Sequence, residues 1–350
     1  MNIRTLEPRD IPAAVSLWNA SVRDGEVVYA DITPAYFHQK FELDPNYDPE
    51  FSLVAEEDGE VVGFINGIAK KVFLDRETNE NSPGYITCFF VRRDRRGRGT
   101  GRALVDALCA RFAAHGKRTV AVSNDNPVNL DWRIPGTPGH DHNNTPGVDT
   151  ECPGYGFLQA LGFGERVREI AMYLNLAEYT PWEGLKAKQA ELLSQGIYTG
   201  RYDPSLGYDY DLMCDHVGSE YWRAVIRSEL ACWKENRPNT DVRFIPNGTK
   251  VPAGPRPMLV ATSGERIVAF TGPVDKQDSG RGWFCGIMTD PEFERRGIAS
   301  VLFNLLMQEF VAEGAAFSTL FTGDSNHAQR IYKRAGFDVV RRFALMGKSL

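Results

Sequence analysis

Residues 86–108 read ITCFFVRRDRRGRGTGRALVDAL, and the fold is decided there. An apolar run of strand length leads into a bend rich in arginine and glycine. A helical period follows, with Ala103, Leu104, Ala107, Leu108 and Phe112 on one face. Strand, glycine bend and helix in that order make a seat for an anion. The first turn of a helix leaves backbone N–H groups without partners and carries partial positive charge. Glycine lets the backbone approach whatever sits there.

The same grammar recurs at 283–306, WFCGIMTDPEFERRGIASVLFNLL. With Gly99 set against Gly297, Arg98 meets Arg296, Gly101 meets Ala299 and Leu104 meets Leu302. Val301, Leu302, Leu305, Leu306 and Phe310 mark the second helix face. Gly116 and Gly314 read as C-caps of the two helices. Strands are expected at 119–123 and 317–321, and each copy closes on a Gly-Phe pair, Gly162-Phe163 and Gly336-Phe337. Upstream, hairpins are expected over 52–65, turning at Asp58-Gly59, and over 258–270, turning at Ser263-Gly264. From Gly99 to Gly162 is 63 positions and from Gly297 to Gly336 is 39, a difference of 24. The extra residues fall in a Pro-, Gly- and Asn-rich insert loop, 124–153, of the length typical of a lid or binding loop. The expected domains are 1–176 and 177–350, with 178–182 as linker and a helix over 185–194.

The chain of 350 residues is 42% hydrophobic and 25% charged, with a net charge of -6. That balance is globular, and the length allows each half its own core. No broad basic face is implied, which argues against nucleic acid as the main partner. Six cysteines (Cys88, Cys109, Cys152, Cys214, Cys232, Cys285) lack C-x-x-C spacing and read as reduced thiols. The opening MNIRTLEPRD has no apolar signal segment, and no run approaches the ~20 apolar residues of a membrane span. The expectation is a cytoplasmic protein with no membrane partner.

The glycine bends exclude the common alternatives. No GxxxxGK[ST] is present, and the glycine spacing is not that of a dinucleotide fold. Arg96-x-x-Gly99-x-Gly101 after a strand resembles the acetyl-CoA-binding signature of the GNAT superfamily, the Gcn5-related N-acetyltransferases. The resemblance implies an α/β (α+β) chain of two tandem GNAT-like domains. Each would hold a central mixed, largely antiparallel twisted sheet flanked by helices. It implies acetyl-CoA as acyl donor. Its diphosphate would rest on Arg96, Gly97, Arg98, Gly99, Thr100 and Gly101 in the first copy. In the second the bend is Arg295, Arg296, Gly297, Ile298, Ala299 and Ser300, with Glu294 where Arg or Gln is usual. The strand ends Phe89, Phe90 and Val91, and Ile287, Met288 and Thr289, would offer backbone groups to the pantetheine.

The run from Asn326 to Phe337, with Asn326, Ala328, Tyr332 and then Gly336-Phe337, is similar to the family's closing motif of Asn, Ala and Tyr followed by Gly-Phe. Carried over, Asn326 contacts the CoA arm and Tyr332 is the general acid for the departing thiolate. A phenol of pKa about 10 holds its proton at pH 7. Leu158 stands at the Tyr332 position in the first copy, so the second copy is the expected catalytic one. Oxyanion stabilisation is expected from a backbone N–H near Ile287 and Met288. Asp290, Glu292 and Asp324 are the acids near enough in sequence to be a base. His140 and His142, with Asp149, Glu151 and Cys152, match no standard zinc spacing, so no metal is expected. Aromatic residues at 202–210 and Tyr221-Trp222 fit either an acceptor pocket or a core. The expected acceptor is a primary amine of a small molecule, with an amino sugar suggested by tandem members of the family. The alternatives are a protein or peptide N-acetyltransferase and a non-catalytic CoA-binding sensor or scaffold.

Overall fold

Successive side chains of a strand face opposite sides of a sheet, and the first half uses both sides. Leu53, Ala55 and Ile65 enter one core together with Leu104, Leu108 and Phe112. Val54, Phe64 and Ile68 enter another with Ala14, Val15 and Trp18. Strands apolar on both faces therefore run between two helical layers. Each large side chain so buried contributes roughly 1.5–3 kcal/mol.

The computed structural model describes residues 1–128, 130–133, 137, 146–203, 205, 208–245 and 250–350. Contacts divide them into two units, Met1–Ala171 with Arg341–Leu350, and Met172–Ile245 with Lys250–Val340. The first contains β1 (Asn2–Thr5), α1 (Ile11–Arg23), α2 (Pro34–Phe37), β2 (Ser52–Glu57), β3 (Glu60–Ala69), β4 (Gly84–Val91), α3 (Thr100–Ala114), β5 (Thr119–Val122), β6 (Val148–Asp149), α4 (Pro153–Ala160) and the start of β7 (Gly164–Asn175). Strands β1 to β4 are antiparallel neighbours in chain order, and β5 joins β4 in parallel. The β2–β3 turn is Asp58-Gly59, as the sequence predicts, and both residues take positive φ, 53° and 81°. That is the geometry a two-residue hairpin favours.

The second unit contains α5 (Leu185–Ser194), β8 (Ile197–Arg201), α6 (Asp211–Val217), α7 (Glu220–Lys234), β9 (Leu259–Ser263), β10 (Arg266–Gly272), β11 (Asp275–Lys276), β12 (Arg281–Trp283), β13 (Gly286–Thr289), α8 (Ile298–Ala312), β14 (Phe317–Gly323), α9 (Gln329–Arg334) and the start of β15 (Asp338–Ser349). Strands β8, β9, β10 and β13 are antiparallel neighbours, while β12 runs parallel to β14. Ser263 pairs with Arg266, so the hairpin turns at Gly264-Glu265, one residue later than expected. The end of β15 belongs to the first unit. Met346 to Ser349 pair with β5, and Phe343 and Ala344 pair with β6. Among the described residues no helix is long and apolar enough to cross a membrane.

Packing repeats the duplication. A Cβ on Gly84 would lie 2.5 Å from the Phe112 ring, and one on Gly282 would lie 2.6 Å from Phe310. Both pairs are 198 positions apart in sequence, the offset that sets Gly99 on Gly297. The irregularity in the motif strand repeats too. Pairing between β3 and β4 slips at Thr87. The second strand, expected to be continuous from 283 to 288, breaks at Phe284-Cys285, where both Cys285 N–H and Sγ meet the Gly272 carbonyl at 2.9 Å. Cys285 occupies the position of Thr87. An extra residue at this point redirects each strand.

Glu169, on the first-unit part of β7, is only 9% exposed, and its Oε2 has no hydrogen-bond partner among the described residues. Burial pushes its carboxyl up to about 7. The folded state therefore holds a proton that the unfolded chain releases near pH 4.3. Stability falls as pH rises between those two values. Glu169→Gln is expected to gain about 1–3 kcal/mol on the wild type between pH 5 and pH 8. Urea unfolding at both pH values checks this, and an equal gap at both would refute it.

Candidate functional site

The bend after β4 is built to leave its N–H groups open. Gly97 and Gly99 take φ of 71° and 89°, values that suit glycine. The first helical bond of α3 runs from Ala103 N–H to the Gly99 carbonyl. The N–H groups of Thr100, Gly101 and Arg102 thus lie beyond the helix ladder. A Cβ on Gly97 or Gly99 would meet none of the described residues within 4 Å, so none of them fills the space beside the bend. Arg96 does not project into that space. Its Nε donates to the Val91 carbonyl at 2.9 Å, and its two terminal nitrogens hold the Glu26 carboxylate at 2.5 and 2.7 Å. That guanidinium keeps the Glu26 carboxyl below the usual range. Arg96 therefore ties the bend to the strand end and to the segment after α1. Arg98 and Arg102 form no ion pair with described residues, and they supply the uncommitted positive charge.

A cavity of about 440 Å³ opens from this bend. Strands β4 and β5 pair only at Gly84–Val120 and Tyr85–Ala121, and they part beyond those positions. The cavity occupies the gap. On the α3 side its wall includes Phe89, Val91, Thr100, Cys152 and Phe157. On the α1 side it includes Val27, Val28, Tyr29, Cys88 and Phe90. Phe89, Val91, Cys152 and Phe157 pack against one core of the sheet, and Val27, Tyr29, Cys88 and Phe90 belong with the core on its other face. The cavity therefore passes through the sheet from one face to the other. Phe89 and Phe157 meet at 5.5 Å on one wall. Phe343, wholly buried, comes from the end of the chain and stacks edge-on against Trp132 at 5.3 Å. Asp149 lines the passage with both oxygens engaged, by Arg341 at 2.9–3.1 Å and by Glu151 N–H at 2.9 Å. Burial pushes the Cys152 thiol up, so it keeps its proton.

The second bend has the same backbone in different surroundings. Gly297 takes φ 86° as the N-cap of α8. Arg295, aligned with Gly97, takes φ 60°, a strained value for a residue with a side chain. Lys188 of α5 lies across the bend. Its Cε is 2.7 Å from where a Cβ of Gly297 would be, and its ammonium pairs with Glu191 at 2.7 Å. Trp222 is pressed against Gly286 at the start of β13. Glu294 cannot repeat the clamp of Arg96, and Arg296 instead stacks over Phe293 at 4.9 Å. Ser300 gives its carbonyl to Asn304 at 2.8 Å. Met288 is buried, while Ile287 and Thr289 are half-buried.

Tyr332 sits on α9, 6% exposed, 5.0 Å from the Phe303 ring and 6.4 Å from Phe337. Burial pushes its hydroxyl up to about 12. Asn326 spends Oδ1 on the Ala328 N–H and Nδ2 on Thr322, both at 2.9 Å, and so shapes the entry to α9. Asp290 is fully buried. It meets His216 at 2.9 Å, Arg266 at 3.2 Å and the Glu292 N–H at 3.0 Å. A carboxylate so engaged organises its loop and is poorly placed to take a proton from a substrate. His140 and His142 lie outside the described residues.

Phe89, Phe90, Val91, Arg96, Gly97, Gly99, Thr100 and Gly101 thus share one cavity, and Arg98 stays outside it. Sequence reading misses Glu26, Tyr29 and Phe343, and it names Asp149 only as a member of the insert loop and of a group with no zinc spacing. No spacing links them to the bend. The only signal is that Asp149 and Cys152 end the insert loop.

Comparison with known proteins adds to this geometry. The sequence pattern of the acetyltransferase (GNAT) family matches residues 16–131 and again 222–337. An L-2,4-diaminobutyric acid acetyltransferase of Nocardia farcinica is 36% identical over 84 residues, 23% of this chain. The match spans about 40% of that curated relative's length. Among solved structures, the GCN5-related glucosamine N-acetyltransferase region of a fungal multi-domain GH3 beta-N-acetylglucosaminidase superposes with TM-score 0.65 at 15% identity. It covers 99% of this chain and 38% of that one. A GCN5-related N-acetyltransferase from Sphaerobacter thermophilus gives 0.59 at 17% identity, covering 99% and 95%. A tandem GNAT protein from the clavulanic acid biosynthesis pathway gives 0.53 at 14% identity, covering 99% and 98%. At these identities the structural likenesses speak for the fold.

Proposed function

The chain belongs to the acetyltransferase (GNAT) family, with two copies of its domain, and from that premise we propose that it transfers an acetyl group from acetyl-CoA to a primary amine of a small molecule. The observation that carries this is the cavity that starts at the first bend and crosses the sheet. A thioester needs such a passage, with its nucleotide end on one face and its acyl carbon open to an acceptor on the other. The N–H groups at Thr100, Gly101 and Arg102, with the side chains of Arg98 and Arg102 beside them, hold the diphosphate. The free edge of β4 at Phe89 to Val91 holds the pantetheine amides. The neutral amine attacks the carbonyl carbon, a C–N bond forms and the C–S bond breaks. The amine nitrogen gives up one proton and the CoA sulfur gains one. A thiol of pKa near 8.5 leaves as thiolate without obligatory help, so the first copy works with Leu158 in place of a tyrosine. A relative named for a diaminobutyrate substrate and a likeness to a glucosamine N-acetyltransferase are consistent with small amines as a class.

A second reading is favoured by the motif from Asn326 to Phe337. It puts the chemistry in the second copy, with Tyr332 as general acid. Tyr332→Phe separates the two. On the first reading turnover stays within about twofold of wild type, since the substitution touches no group in the working cavity. A fall of roughly 100-fold, the lower range for loss of a general acid, would move the chemistry to the second copy. Calorimetric titration with acetyl-CoA counts the sites. We expect one per chain, because Lys188 lies across the second bend.

A further inference from the structure

We infer that the acceptor is an amine carried on an uncharged, apolar body, seated at the α1-side end of the first copy's cavity. The inference rests on the reading of that cavity as the acyl-transfer site. On the α1 side of the parted strands the apolar wall includes Val27, Val28, Cys88, Phe90 and Phe343. The hydroxyls that also line it are already engaged, Ser21 by Glu26, Thr87 by Asn126, and Tyr29 likewise has a partner. The acidic groups that touch the passage already have counter-ions. Glu26 is held by Arg96 and Asp149 by Arg341. Arg102 lines the opposite, diphosphate end.

An acceptor with its own carboxylate would find no unmatched cation at this end among the described residues, and burying an unmatched charge is costly. A sugar ring would leave several hydroxyls facing valine and phenylalanine, each losing water without a replacement partner. An apolar body gains what those groups lose, about 25 cal/mol for each Å² it covers. The same wall prepares the nucleophile. Apolar surroundings disfavour an ammonium and favour the neutral amine, the form that attacks. This accounts for a cavity in which, among the described residues, no unmatched carboxylate stands by as a base. The acceptor N–H proton passes to water as the amide forms, and the CoA sulfur is released as thiol.

The test uses the wild-type full-length chain with acetyl-CoA, following CoA thiol release and product mass for four amines. These are 2-phenylethylamine, n-hexylamine, glucosamine and 2,4-diaminobutyrate. We expect kcat/KM for the first two to exceed that for the last two by at least about tenfold, the scale on which a pocket separates a fitting from a non-fitting side chain. Equal or better use of glucosamine or diaminobutyrate would overturn the inference. So would normal acetyl-CoA binding with none of the four acetylated, and that outcome would leave the cofactor reading standing. Absence of any acetyl-CoA binding heat would overturn both.

Discussion

Replacing Gly99 with aspartate is expected to weaken acetyl-CoA binding by about 100-fold or more while the chain stays folded. Two effects add. Gly99 takes φ 89°, where any other residue is strained by roughly 1 kcal/mol or more, so the free bend relaxes away from the geometry that the diphosphate needs and binding has to restore it. The new carboxylate also stands beside the proposed diphosphate seat. A like charge about 4 Å away costs between ~1 and ~4 kcal/mol, depending on how well water screens it. Together these reach the ~2.7 kcal/mol that a 100-fold change in affinity requires. The fold tolerates the side chain, since a Cβ at Gly99 meets none of the described residues within 4 Å. Arg295 shows that a residue with a side chain can hold such a bend, at φ 60°. Gly99→Ala is the control: it carries the strain without the charge, and its affinity should fall about fivefold. Gly297→Asp should leave binding close to wild type. Calorimetry with acetyl-CoA reads all three, and an unchanged Kd in Gly99→Asp would remove the first bend from the function.

What the sequence showed and what it hid divide by distance along the chain. The bends, the helices after them and the Asp58-Gly59 hairpin are each set within a dozen residues, so composition and periodicity reveal them. The duplication was legible for the same reason, because each copy repeats a local pattern. The cavity was not. Its walls depend on Glu26 meeting Arg96 across 70 positions and on Arg341 meeting Asp149 across 192. It also depends on the last residues of the chain pairing with β5 and β6. Lys188 over Gly297 is a contact of the same kind. It changes the second bend from an open seat to a covered one, with no mark in the motif itself. The closing motif at Asn326 to Phe337 pointed to the second copy, whereas the passage through the sheet points to the first. A motif reports which groups are present, and a seat also depends on what leaves room for the ligand.

Glu229→Ala is expected to destabilise the protein by about 3–5 kcal/mol, the largest effect on stability that we anticipate from one side chain. Glu229 on α7 is 1% exposed, and it meets Arg256, which is 5% exposed. One carboxylate oxygen also accepts from Asn239 Nδ2 at 2.8 Å. Arg256 reaches Asp275 at 3.0 Å and lies over the Trp283 ring at 5.0 Å. The group ties α7 to β11 and β12, the strands that lead into the second motif strand. Burial works against the charge on Arg256, but the carboxylates of Glu229 and Asp275 outweigh it and hold the guanidinium above its ordinary range. Arg256 therefore stays charged when Glu229 is removed, and a buried cation is left with one partner and an empty space beside it. Asn239 loses its acceptor at the same time. Glu229→Gln keeps the shape and the acceptor but removes the charge, so its loss should be smaller, roughly 1–3 kcal/mol. Replacing both members by apolar residues, Glu229→Leu with Arg256→Met, should recover most of the stability, because the pair's attraction is largely offset by the cost of drying its two charges. Urea unfolding of the three variants decides the matter. A loss under about 1 kcal/mol for Glu229→Ala would mean that water reaches Arg256 once its partner is gone.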